Sequence, residues 1–235
     1  MNYAVLGTVA LGGVAALDAV PVAQTMLSQP LVTAALLGAL WGNWPVALEV
    51  GVVLQLLAAI TMPLGSRTPE DYASGGVVGT GLALALAAHQ PLEMTRESAA
   101  LLGALAGMAT AWGGVPLLRW QRRRNERLGR WSEDALRAGN EGALGAAHRA
   151  AIVLAFAVGV CYTAAALAAG TWGLAPLAAR ESLRLSRAWA LARPLWVGFG
   201  LAQILNAFLQ RRLDRAAFFG FALLASWLVL VVGAR

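Results

Sequence analysis

Eight apolar runs, at about 3–20, 30–42, 45–62, 74–89, 98–118, 150–172, 194–210 and 216–233, leave this chain too little polar material to coat a water-exposed surface. Of its 235 residues, 59% are hydrophobic and 13% charged, where a soluble domain is near half apolar and a quarter charged. The chain is therefore an integral membrane protein. Its length accommodates about six or seven helices of about 20 residues each, with no room for a soluble catalytic domain. The expected fold is all-α: one polytopic domain of about six to eight transmembrane or re-entrant helices.

Charge orients this domain. The net charge is +6, and all 18 basic residues are arginine. Eight of them (Arg119, Arg122, Arg123, Arg124, Arg127, Arg130, Arg137 and Arg149) fall between 119 and 149 against four acids. Basic segments beside apolar runs stay in the cytoplasm, so this one is placed there, and the short segment from Arg211 to Arg215 with it. Trp120, Leu128, Trp131 and Ala135 recur at helical spacing, which predicts an amphipathic helix lying along anionic headgroups. A second amphipathic stretch carries Arg180, Arg184 and Arg187. A nucleic-acid partner is excluded, because a phosphate-binding face would need an exposed domain. Cys161 is the only cysteine and sits in an apolar run, so it forms no internal disulfide. The amino terminus lacks the basic region of a secretory signal, and the first apolar run is expected to be retained.

Residues 29–81 depart most from plain spanning helices. The run from Pro30 to Gly42 would rise about 20 Å, short of a hydrocarbon core of about 30 Å. Pro45 then restarts the apolar pattern. A re-entrant hairpin or broken helix follows, with a single span kinked at Pro45 as the alternative. Pro63, Gly65 and Pro69 break the chain again in a polar loop at 63–73 that carries Arg67, Glu70 and Asp71. Interrupted helices with scattered carboxylates and amides are how membrane transporters build ligand sites.

These residues resemble the IIC membrane subunit of mannose/fructose/sorbose-type bacterial phosphotransferase systems. The resemblance rests on Pro30-Leu31-Val32, the turn Gly42-Asn43, Gly51 ahead of Leu54-Gln55, and Gly65 ahead of Asp71. A second anchor is Gly139-Asn140 with His148 eight residues beyond Asn140. The chain departs from the family pattern in carrying Gln55 where the family has glutamate, and in Glu70 standing between Pro69 and Asp71. The resemblance implies a multi-pass protein of the bacterial cytoplasmic (inner) membrane that binds a hexose or amino sugar. It would pass the sugar across with a IID membrane subunit for phosphorylation by IIB, itself charged by IIA. The phospho-histidines would lie on those soluble partners, so this chain is not expected to be an enzyme. Homo-oligomerisation within the complex and contact with membrane lipid are expected as well.

A sugar site needs paired donors and acceptors, often beside an aromatic wall. Polar groups inside a membrane are costly enough to read as functional. Asp71 is the first candidate, and it can also cap the helix at 74–89. Gln55 can meet a sugar hydroxyl or bond a neighbouring helix. Glu49, Glu70 and Asn43 complete the substrate set, Asn43 being also a natural turn residue. Trp41 and Trp44 can stack on a sugar or anchor at the interface. His148, Asn140, Arg122 and Arg123 are candidates for docking IIB, and His89 reads as a helix-end residue. No second His, Cys or carboxylate stands at ligand spacing from either histidine, so no metal or cofactor is expected. The amides Gln55 and Asn43 leave a second reading open, a membrane scaffold or regulatory subunit that has kept the fold without transport.

Overall fold

The structure, a computed structural model, describes residues 3–19, 22, 24–59, 68–89, 94–209 and 211–233. Within them the chain is helical: α1 (Tyr3–Ala19), α2 (Pro30–Trp41), α3 (Trp44–Ala58), α4 (Tyr72–His89), α5 (Arg96–Arg137), α6 (Ala143–Phe208) and α7 (Arg212–Gly233). Among the described residues, α5 and α6 are long and apolar enough to cross a bilayer.

The 30–58 region is a helical hairpin. Pro30 opens α2 with its φ already set and no N–H to leave unpaired. Gly42 closes α2 at φ +67, and the Asn43 N–H bonds the Gly38 carbonyl at 3.0 Å, the left-handed cap that glycine favours. The Asn43 side chain then accepts from the Val46 N–H at 3.4 Å and starts α3. With 12 and 15 residues, the two helices rise only about 18 and 22 Å. The hairpin therefore returns α3 to the level at which α2 began. That level is the Gln29 end of the molecule, and Trp41, Gly42 and Asn43 mark the opposite one.

Helices α4 and α5 cross where both are bare. A Cβ at Gly79 would lie 2.7 Å from the Gly103 carbonyl oxygen, and one at Gly75 would lie 2.6 Å from that of Gly107. Small residues four apart on both helices bring backbone against backbone, as in membrane helix pairs generally. The basic segment starts no new helix. Neither Pro116 nor Gly129 interrupts it, so α5 runs 42 residues to Arg137, about 63 Å and about twice the hydrocarbon thickness. Its arginine-bearing half extends beyond the Gln29 end. It terminates at Gly139 (φ +89), after which Asn140 Oδ1 accepts from the Gly142 N–H at 3.1 Å to begin the return.

Helix α6 absorbs what the sequence divides into a crossing, an amphipathic stretch and a further crossing. Gly159 packs on Gly12 and Gly13 of α1, Gly170 on Leu82 of α4, and Ser182 bonds the Thr95 N–H at 3.0 Å at the far end of the bundle. Glu181, with non-helical φ −117 and ψ 18, bends the axis there. The chain then climbs back past Glu49, bonded to Trp189, and Leu56, packed on Gly200. The arginines at 211–215 thus return to the same end as those of α5. On α7 the side chains of Phe219, Phe221 and Leu224 are exposed, as befits a lipid-facing surface.

Candidate functional site

At the Gln29 end the helices enclose a cavity of about 280 Å³. Its walls are the close of α1 (Ala16, Ala19), the start of α2 (Ser28 to Pro30), the last residue of α3 (Ala58), the segment from Pro69 to Ser74, the middle of α5 (Leu117 to Asn125) and α6 around Tyr162.

Asp71 sits at the start of α4. Its Oδ1 accepts from the Ser74 N–H at 3.1 Å, its carbonyl from Gly75 at 2.9 Å, and its own N–H donates to the Ala111 carbonyl of α5 at 2.9 Å. A Cβ at Gly114 would stand 2.8 Å from Oδ2. The bare Gly114 backbone is thus what admits the carboxylate. Asp71 caps a helix with one oxygen and lines the cavity with Glu70 beside it.

Tyr162 of α6 also lines the cavity, its hydroxyl donating to the Thr110 carbonyl at 2.7 Å. An aromatic residue in the lining can offer an apolar face to a sugar ring. From α5, Gln121, Arg122 and Asn125 complete the lining. Arg122 Nη1 donates to Thr68 Oγ1 at 3.4 Å, and Asn125 Oδ1 is buried with no partner among the described residues.

The start of α2 is held by a latch. The Asp18 carboxylate accepts from the Thr25 N–H, from Thr25 Oγ1 at 2.7 Å and from the Ser28 N–H at 2.8 Å. It thereby clamps a turn in which Gln24 (φ 52) and Met26 (φ 69) adopt left-handed backbone. Gln29 follows that turn. Behind it lies Gln55, whose Oε1 accepts from the Leu31 N–H at 3.2 Å and whose Nε2 donates to Gln29 Oε1 at 2.8 Å.

The fold therefore brings together Asp71, Glu70 and Arg122 from the sequence candidates, with Gln55 one residue behind the lining. Glu49 and Asn43 do not join them. Asn43 is the turn residue at the opposite end, and Glu49 accepts from Trp189 Nε1 at 2.8 Å and from Arg193 Nη1 at 2.7 Å. Trp41 is also remote, its indole bonded to Thr8 Oγ1 at 3.0 Å. Asn140 shapes the turn from α5 to α6, while Arg123 and His148 are exposed. Pro63, Gly65 and Arg67 and the side chain of His89 lie outside the described residues. Sequence reasoning missed Gln29, Tyr162, Gln121, Asn125 and the Asp18 latch. A polar residue just before Pro30 was the available signal for Gln29; Tyr162, in the midst of an apolar run, offered little. Among the described residues no group of His, Cys, Asp and Glu side chains could hold a metal ion.

Comparison with known proteins bears on this arrangement. No curated protein matches the chain. Solved structures that share its fold include two at 18% identity, each match covering 100% of this chain and 94% of the other. One, described as a membrane protein, superposes with a TM-score of 0.72; the other, the mannose transporter ManYZ in complex with a microcin, gives 0.56. At that identity the likeness speaks for the fold alone. The family model of the phosphotransferase-system sorbose-specific IIC component matches residues 1–234. With that pattern running through virtually its whole length, the chain belongs to the sorbose-specific IIC family, the membrane transport components of mannose- and sorbose-type phosphotransferase systems.

Proposed function

We propose that this chain is the sugar-translocating subunit of such a system, binding a hexose or amino sugar in the cavity at the Gln29 end. One observation carries the reading: Asp71, Glu70, the Gln29 amide and the Tyr162 ring line one cavity at the arginine-rich end of the molecule. A hexose is neutral and carries hydroxyls that both donate and accept. Carboxylate oxygens accept hydrogen bonds from its hydroxyls, the amide NH₂ donates one to a sugar oxygen, and the ring covers its apolar face. The chain resides in the bacterial inner membrane, with the arginine-rich end in the cytoplasm. There IIB docks on Arg122, Arg123, Asn140 and His148 and phosphorylates the sugar, after IIA has charged IIB. A IID subunit completes the membrane complex, within which this chain forms homo-oligomers in contact with lipid. The short-helix hairpin α2–α3 moves against the longer helices in alternating access.

The test is uptake and phosphorylation of radiolabelled hexoses and amino sugars in cells supplying IIA, IIB and IID, comparing the intact chain with Asp71→Ala and Asp71→Asn. Asparagine keeps the helix cap but removes the carboxylate. One sugar phosphate should accumulate with the intact chain and fall at least tenfold in both variants at equal membrane level. No accumulation of any sugar, with the complex still assembled, would overturn the transport reading in favour of a scaffold subunit.

A further inference from the structure

The hydrogen bonds behind the cavity have a single sense. The Leu31 N–H belongs to the first turn of α2 and can only donate, so Gln55 must turn its Oε1 toward it, 3.2 Å away. That leaves the Gln55 NH₂ facing Gln29, 2.8 Å distant, and an NH₂ requires an acceptor. Gln29 must therefore turn its own Oε1 back toward Gln55. The orientation of both amides, ordinarily ambiguous, is thus dictated by a backbone donor at the start of the relay. At the other end Gln29, an exposed residue of the cavity wall, is left with its NH₂.

We propose that Gln55 is a positioning residue that holds Gln29 with its NH₂ toward the cavity, so that the site reads one sugar oxygen as an acceptor while Asp71 and Glu70 read hydroxyl protons. Gln55 does not touch the ligand; it sets the polarity of the residue that does. A carboxylate at position 55 would accept from both Leu31 and Gln29, forcing the Gln29 amide to turn over and present its oxygen. The cavity would then hold acceptors on both sides. A hydroxyl could still adapt by donating, but an acceptor-only substituent could not. The inference rests on the sugar-binding reading above.

Fluorinated sugars separate the two polarities, because a C–F group replaces a hydroxyl in size, accepts weakly and cannot donate. The experiment is competition binding of glucose, mannose and their monodeoxyfluoro analogues, fluorine at each carbon in turn, to the full chain in its membrane complex. Wild type, Gln55→Glu and Gln29→Glu are compared. At one sugar position wild type should tolerate fluorine within about threefold, whereas both variants should lose roughly tenfold, the worth of one neutral hydrogen bond. Gln29→Glu reaches the same polarity while leaving the Leu31 N–H bonded to Gln55, so a folding defect in Gln55→Glu does not decide the matter. A uniform fall across all analogues, or a wild type that penalises fluorine at every position, would overturn the inference and leave sugar binding standing. Failure of wild type to bind any hexose would overturn the sugar-binding reading and this inference with it.

Discussion

Replacing Gly79 by alanine adds one methyl group where two helix backbones touch. The new Cβ would stand 2.7 Å from the Gly103 carbonyl oxygen and 2.9 Å from both Gly107 Cα and Leu54 Cδ1. The leucine can rotate away, but the other two atoms are helix backbone. An ordinary C···O approach is about 3.3 Å or more, so α4 and α5 must part by about 0.6 Å. A gap of that size forfeits about a quarter of each dispersion contact along the seam. Overpacking of this kind costs about 1–3 kcal/mol, against which alanine returns up to about 1 kcal/mol of helix propensity. The net expectation is a loss of about 1–2 kcal/mol. Gly173→Ala is the matched control, since a Cβ there meets nothing within 4 Å; it should be neutral or gain up to about 1 kcal/mol. Reversible unfolding of the purified protein in mixed micelles, followed by circular dichroism, measures both. Gly79→Ala/Gly107→Ala should cost less than the sum of the single changes, because the first opens the crossing for the second. Sugar binding should weaken in parallel, since Asp71 hangs from Ala111 of the same seam by a 2.9 Å bond. Equal stability of Gly79→Ala and Gly173→Ala would refute the close-contact argument.

Three further substitutions probe the ends of the bundle. Glu49→Ala removes the acceptor shared by Arg193 and by Trp189, a residue only 1% exposed, and should cost about 1–3 kcal/mol for the stranded indole N–H while leaving sugar affinity unchanged; a tenfold affinity loss at unaltered thermal stability would instead put Glu49 in the site. Asp18→Asn leaves one acceptor oxygen where three donors converge, so the turn at 24–29 should loosen, hydrogen exchange there should rise, and sugar affinity should fall through Gln29. Met26→Gly, relieving the φ of 69, should restore part of that loss; an Asp18→Asn protein with unchanged exchange at 24–29 would remove the latch from the account.

Much of the architecture was legible because it follows from local chemistry. Apolar runs with few charges specify membrane helices, and Pro30, Gly42 and Asn43 start and stop helices by their own backbone preferences. The basic segment and α6 were less legible. A helix persists until something breaks it, and neither Pro116 nor the composition around Glu181 signalled which of the two would turn the chain.

The sequence by itself determined the class of protein and, through its motif resemblance, the IIC family. It also singled out Asp71 and Glu70 as candidates, along with Glu49, which the fold places away from the cavity beside Trp189 and Arg193. Tertiary structure alone decided the cavity. The bonds that build it join residues far apart in the chain: Gln55 to Gln29 across 26 positions and Tyr162 to Thr110 across 52. In water, hydrophobic periodicity reveals which helix face turns inward. In lipid it does not, because the surrounding tails are as apolar as the core, and the packing faces are set by which glycines let two backbones touch.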